Sequence, residues 1–295
     1  MPTIKRGGAA IHYARAGSGP AVLLIQGAGV VGNGWRPQVE SLSRRFTVVT
    51  FDNRGIGAST DGGEALSIEA LAEDALAIMD AEQLERFHLG GHSMGGLIAQ
   101  QVALQAPRRV ASLALLCTFL HGSQASRLTL PMLLTALRMR IGPRTMRRHA
   151  FLELVLPAEY LRQQNRTQLA EELAPLFGYD LAQQPSVVMT QLRAMARFDV
   201  SSRLAALAGI PTLVLSAAED RVAAPAFGRT LAAAIPNAQY VEWPGAGHGV
   251  TIQCAGGINE VLARHFAAGG AAVPAAAPSA SYPARQSDAA SRSPC

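Results

Sequence analysis

The chain of 295 residues has little of what several protein classes depend on. Its three cysteines, Cys117, Cys254 and Cys295, are too few for the disulfide framework of a small secreted domain. Cys117 sits in an apolar, strand-like run (111–119), as a core thiol would. No stretch reaches the roughly 18 uninterrupted apolar residues of a membrane-spanning helix. The opening Met1-Pro2-Thr3-Ile4-Lys5-Arg6-Gly7-Gly8 lacks the apolar segment of a secretory signal. A cytoplasmic protein with no membrane span is therefore expected. Aromatic residues make up only 5% of the chain and charged residues 16%. The net charge of +5 comes mostly from scattered arginines, with one cluster at Arg138, Arg140, Arg144, Arg147 and Arg148. That cluster has no interleaved aromatics and no nucleic-acid motif around it. It reads as a solvated helical face, and no nucleic-acid partner is expected.

What the chain does have is apolar material, 49% of its residues, enough to bury a large core. The pattern alternates between strand and helix. A hairpin is expected over 3–16, then a buried strand Ala21–Ile25, a helix over 35–45 and a strand Phe46–Phe51. A helix over 67–82, a strand from Phe87, its following helix and a strand near 111–118 continue the series. Such alternation predicts an α/β class with a mostly parallel sheet and helices on both faces.

The order then breaks. Residues 120–200 show helix-like runs over Pro131–Arg140, Thr145–Leu156, Ala158–Leu173 and Val187–Phe198, with no core strand. They read as a helical cap inserted after the sixth strand, giving core segments 1–119 and 201–268. Leu130, Met132, Leu133, Phe151, Leu154, Phe177 and Met195 are candidates for an apolar pocket wall beneath it. Trp35 and Trp243 read as packed structure. The Ala/Pro/Ser-rich tail, 269–295, cannot bury enough apolar surface and is expected to be disordered.

Gly91-His92-Ser93-Met94-Gly95 lies between a strand and a helix, a G-x-S-x-G in the strand–turn–helix setting of a nucleophile elbow. Glycines must flank the serine because the turn is sharp and its neighbours are close. A serine hydroxyl needs a general base, and the base needs an orienting acid. His248, in Pro244-Gly245-Ala246-Gly247-His248-Gly249 after a strand over Gln239–Trp243, is the candidate base. His92, beside the nucleophile, cannot fold back to serve it. Asp220 and its neighbour Glu219, in the loop after the strand that starts at Ile210, are the candidate acids. The loop Gln26-Gly27-Ala28-Gly29 follows a strand of five apolar residues. It can aim a backbone N–H, that of Ala28, at a developing oxyanion, together with the N–H of Met94.

These motifs, with Asp52-Asn53-Arg54-Gly55-Ile56-Gly57-Ala58-Ser59, give the chain its resemblance to the α/β-hydrolase superfamily over about residues 11–267. The D-x-R-G-x-G-x-S segment is similar to one the family carries, and Asp52 and Arg54 read as loop pins there. The relatives in view are carboxylesterases, 3-oxoadipate enol-lactonases and cofactor-free haloperoxidases or perhydrolases. The resemblance implies an eight-stranded sheet and a Ser93–His248–Asp220 triad, the family spacing favouring Asp220 over Glu219. It implies a small-molecule ester or lactone substrate, and neither metal nor cofactor. The same triad also serves perhydrolysis or acyl transfer to an alcohol, and some ligand-binding receptors share the fold. Two departures stand out. Gln26 replaces the histidine usual before the oxyanion-loop glycine, and Ala217 replaces a glycine in the acid loop.

Overall fold

The computed structural model describes residues 2–63, 65–126 and 129–269. Eight strands form one sheet: β1 (Thr3–Arg6), β2 (Ala9–Ala16), β3 (Ala21–Ile25), β4 (Thr47–Phe51), β5 (Phe87–His92), β6 (Val110–Leu116), β7 (Thr212–Ala217) and β8 (Gln239–Trp243). Their order is β1-β2-β4-β3-β5-β6-β7-β8. The first hairpin turns on Gly7 and Gly8, both at positive φ as a tight two-residue turn demands. It pairs antiparallel with the rest, and from β4 to β8 every pairing is parallel. Every residue of β3, β4, β5 and β7 is buried, the signature of strands covered on both faces. The edge strands β1 and β8 are largely half-buried or exposed.

Helices α1 (Arg36–Leu42), α2 (Ile68–Ala81) and α3 (Met94–Gln105) connect the first half of the sheet. The hydroxyl of Ser67 caps α2 by accepting the N–H of Ala70. Between β6 and β7 the chain leaves the sheet for α4 (Leu130–Arg138), α5 (Arg144–Val155), α6 (Ala158–Arg162), α7 (Arg166–Phe177) and α8 (Val187–Arg197). These helices contain a second apolar cluster that includes Phe151, Leu152, Leu161, Leu169, Leu173 and Phe177. One expectation is corrected there. The single helix read over Ala158–Leu173 is two, because the Asn165 side chain accepts the N–H groups of Thr167 and Gln168 and starts α7 afresh. Helices α9 (Pro225–Ala234), α10 (Val250–Gln253) and α11 (Ala255–Ala267) complete the fold.

The Asp52–Ser59 segment is fastened from both ends. The Asp52 carboxylate accepts the N–H groups of Gly32 (2.7 Å) and Ala58 (3.0 Å). Arg54, buried, donates through Nε and Nη2 to the two oxygens of Asp74 at 2.6 and 2.9 Å, a forked pairing inside the core. No helix among the described residues is long and apolar enough to cross a membrane. The tail expected to be disordered lies outside the described residues from 270 onward.

Candidate active site

Parallel strands bring the loops at their C-terminal ends to one edge of the sheet. The register aligns those ends: Ile25 faces Gly91, His92 faces Leu116, Leu116 faces Leu215, and Ala217 faces Trp243. The loops after β3, β5, β7 and β8 carry Gln26–Gly29, Ser93, Asp220 and His248, so residues up to 222 positions apart meet there.

Ser93 sits between β5 and α3 at φ 54° and ψ −119°, a conformation that L-residues rarely adopt. The surrounding chain holds it there. Its N–H donates to the carbonyl of Leu116 at 3.0 Å, and its carbonyl accepts the Thr118 hydroxyl at 2.7 Å. A Cβ at Gly91 would strike the carbonyl of Gly95, and one at Gly95 would strike the carbonyl of Ile25. The flanking glycines are therefore required by close approach.

Asp220 Oδ2 and His248 Nδ1 lie 2.8 Å apart, both groups buried. The other carboxylate oxygen of Asp220 accepts the N–H groups of Val222 and Ala223 at 2.7 and 2.8 Å. Burial alone would raise the Asp220 pKa. The charge and hydrogen bond of His248 and the two N–H groups outweigh it and hold the carboxyl below its ordinary range. Glu219 is exposed and has no such contact with His248.

Ser93 and His248 line one cavity of about 1010 Å³. No hydrogen bond joins the Ser93 hydroxyl to His248 among the described residues. Contacts between nucleophile and base are often long until substrate is bound.

The loop after β3 is tied down at almost every donor. Gly27 N–H reaches the Gln26 side-chain oxygen at 3.2 Å, Gly29 N–H reaches Gln191 at 2.8 Å, and Val30 N–H reaches the carbonyl of Gly27 at 3.4 Å. Asn53 holds the carbonyl of Gln26 at 3.2 Å. From Gly27 to Val30, Ala28 is the residue whose N–H has no acceptor among the described residues, and Ala28 lines the cavity. The amide of Gln26 thus takes up one donor of its own loop.

Three contacts here had no local signal in the sequence. His92 donates from Nε2 to the backbone carbonyl of His248 at 2.8 Å, and the two rings lie 4.8 Å apart. Burial, with the neighbouring His248, pushes His92 down to about 3, so it stays neutral and its Nδ1 carries the lone pair. The Cys117 thiol lies within the field of Asp220. Gln191 joins α8 to the loop after β3.

Of the proposed wall residues, Met132, Leu133, Phe151, Leu154, Phe177 and Met195 line the cavity. Leu130 does not; it is 70% exposed at the start of α4. Trp35 is fully buried, edge-on to His92 at 6.4 Å.

His92, Cys117 and His248 bring potential ligand atoms within 4.8 Å of one another. Their chemistry does not fit a metal. His248 Nδ1 is engaged by Asp220 and His92 Nε2 by the carbonyl of His248, which leaves His248 Nε2 and His92 Nδ1 with lone pairs, so the thiol decides. Burial, with the negative Asp220 adding to it, pushes the Cys117 thiol well up, so no thiolate is at hand.

The fold and this site define a hydrolase class, and the family model described as the alpha/beta hydrolase fold matches residues 20–253. The chain belongs to the α/β-hydrolase family and is a hydrolase. It is 30% identical over 266 residues to a RutD protein of Azorhizobium caulinodans, for which carbamate hydrolysis is the proposed activity; 89% of this chain and 97% of that one are covered. It superposes on the enol-lactonase of Burkholderia xenovorans LB400 with a TM-score of 0.75 and 27% identity, covering 90% of this chain and 100% of the other. A hydrolase from Pseudomonas aeruginosa PA01 gives 0.75 and 26%, covering 90% and 97%.

Proposed function

We propose that this chain is a serine hydrolase that cleaves a carboxylic ester or lactone of a small, largely apolar substrate. The observation that carries the reading is the 2.8 Å Asp220–His248 pair, whose imidazole lines the same cavity as a serine on a strained elbow. Ser93 Oγ attacks the carbonyl carbon while His248 Nε2 takes its proton. Asp220 holds the imidazole through Nδ1 and stabilises the imidazolium. The N–H groups of Ala28 and Met94 receive the oxyanion. His248 returns the proton to the leaving oxygen, and an acyl-enzyme on Ser93 remains. Water then attacks, His248 takes its proton, and the acid departs as Ser93 is restored.

Helices α4–α8 act in this reading as the cap that selects the acyl group, their apolar side chains forming much of the wall. A carbamate is a second substrate class, favoured by the 30% identity to the RutD protein. Its carbonyl would meet the same serine.

Hydrolysis of p-nitrophenyl esters from acetate to dodecanoate, beside Ser93→Ala, tests the proposal. Turnover that falls by about 10³-fold or more in the variant, with the fold intact, is expected. Turnover that persists in Ser93→Ala would overturn the serine mechanism.

A further inference from the structure

The arginine cluster of α4, α5 and the turn between them is divided by the fold. Arg138 pairs with Glu153 at 2.7 Å, Arg148 pairs with Asp180 at 2.7 Å, and Arg144 also meets Asp180. These are ordinary surface and half-buried ion pairs. Arg140 and Arg147 instead line the cavity. Neither has a carboxylate partner among the described residues. Arg140 donates to the sulfur of Met189 at 3.2 Å, and the Nε of Arg147 is shielded from solvent with no hydrogen-bond partner.

Among the described residues, no aspartate or glutamate lines the cavity. An N–H held away from water without an acceptor, as Arg147 Nε is, is unfavourable, and no carboxylate on the described wall offsets the guanidinium charge. The Nε2 of Gln184, also on the cavity wall, is a second buried donor without an acceptor among the described residues. Tyr179, whose hydroxyl donates to Gln184, is held neutral by burial. The cap side of the cavity therefore offers surplus hydrogen-bond donors and positive charge within otherwise apolar walls.

We propose that the cavity takes a substrate carrying a carboxylate remote from the scissile carbonyl, with Arg147 as its chief contact. Gln184 adds a second donor, and Arg140 adds charge at the mouth. The inference rests on the reading of Ser93 as the nucleophile of this cavity and names its substrate class: a half-acid ester or lactone with an apolar spacer. A carboxylate matches the planar donor fork of a guanidinium and supplies the missing counter-charge.

The test compares mono-p-nitrophenyl adipate with p-nitrophenyl hexanoate, equal in chain length and differing in the terminal carboxylate. The protein should favour the adipate half-ester in kcat/KM by about tenfold or more, mostly through KM, which corresponds to about 1.4 kcal/mol. Arg147→Gln should lower that ratio by about tenfold, and Arg147→Lys should restore part of it, separating the charge from the fork. Arg138→Gln, whose ion pair lies outside the cavity wall, should leave the ratio unchanged. A preference for hexanoate, or a ratio that Arg147→Gln does not move, overturns the proposal.

If neither ester is cleaved, the serine-hydrolase reading fails, but the subsite is still decided by calorimetry. Monomethyl adipate should then bind more tightly than methyl hexanoate and lose about tenfold in affinity in Arg147→Gln. Equal or absent binding of the half-ester overturns it.

Discussion

The side-chain oxygen of Gln191 accepts the backbone N–H of Gly29 at 2.8 Å, joining two residues 162 positions apart. Gln191 is fully buried on α8, and Gly29 adjoins Ala28, the proposed oxyanion donor. The contact ties the helices between β6 and β7 to the edge of the sheet that carries Ser93 and His248. In the proposed mechanism it makes Gln191 a positioning residue for the loop that would present its N–H to the developing charge. Replacing Gln191 with leucine should lower kcat about tenfold with little change in KM, because a donor aimed at the oxyanion acts mainly in the transition state. Steady-state kinetics on a p-nitrophenyl ester would read the split. A variant with normal kcat would show that the loop keeps its shape without the helix.

The acid of the proposed triad is testable against its neighbour. Asp220 is buried and bonded to His248, whereas Glu219 is exposed. Asp220→Asn should reduce kcat by about 10³-fold or more, since the imidazole loses its orienting charge and tautomer. Glu219→Gln should cost less than about twofold. The reverse pattern would transfer the role to Glu219.

Two glycine substitutions should differ in sign. A Cβ at Gly95 collides with the carbonyl of Ile25, in the backbone under the elbow, and Gly95→Ala should cost about 1–3 kcal/mol or more. Gly256, exposed in the first turn of α11, has open space where its Cβ would stand. Gly256→Ala should be neutral or stabilising by up to about 1 kcal/mol. Urea denaturation of the two variants beside the parent protein measures both.

Three buried histidines should make stability fall in mild acid. Burial pushes His92 down to about 3 and His265 to about 4, and lowers His88 with help from Arg86. The folded chain therefore binds fewer protons than the unfolded chain, whose histidines titrate near 6.5. Their contribution is complete above about pH 6.5 and is lost as the pH falls toward the folded values. Between pH 6.5 and pH 5 the loss is on the order of 2 kcal/mol each for His92 and His265. The urea midpoint should decline steadily over that interval. A flat midpoint would mean that these side chains take up protons without leaving their packing.

Much of this molecule could be read from local patterns. Five consecutive apolar residues in Ala21–Ile25 specify a strand with two covered faces, and the structure buries all five. The elbow was legible because its need for small residues is local: Gly91 and Gly95 lie two positions from Ser93. The histidine loop was visible for the same reason, through Gly247 and Gly249 beside His248. The helix boundary at Asn165 was less so, because a polar side chain within a helix-like run does not announce that it will cap rather than face solvent.

What the sequence by itself determined is the set of backbone shapes: which segments are strands and helices, where the chain turns sharply, and which side chains are offered at strand ends. Those follow from periodicity and steric demands within a few residues. What only the tertiary structure decided is which offers are taken up. Glu219 and Asp220 are neighbours in the chain, yet only Asp220 is turned toward His248 in a dry setting. Five arginines on two helices and the turn between them look alike in the sequence, yet three find carboxylates and two line the cavity without one among the described residues. His92 reaches His248 and Gln191 reaches Gly29 across more than 150 positions. The value of a polar or charged group depends on its partner and on the water excluded around it, and both are set only when distant segments pack.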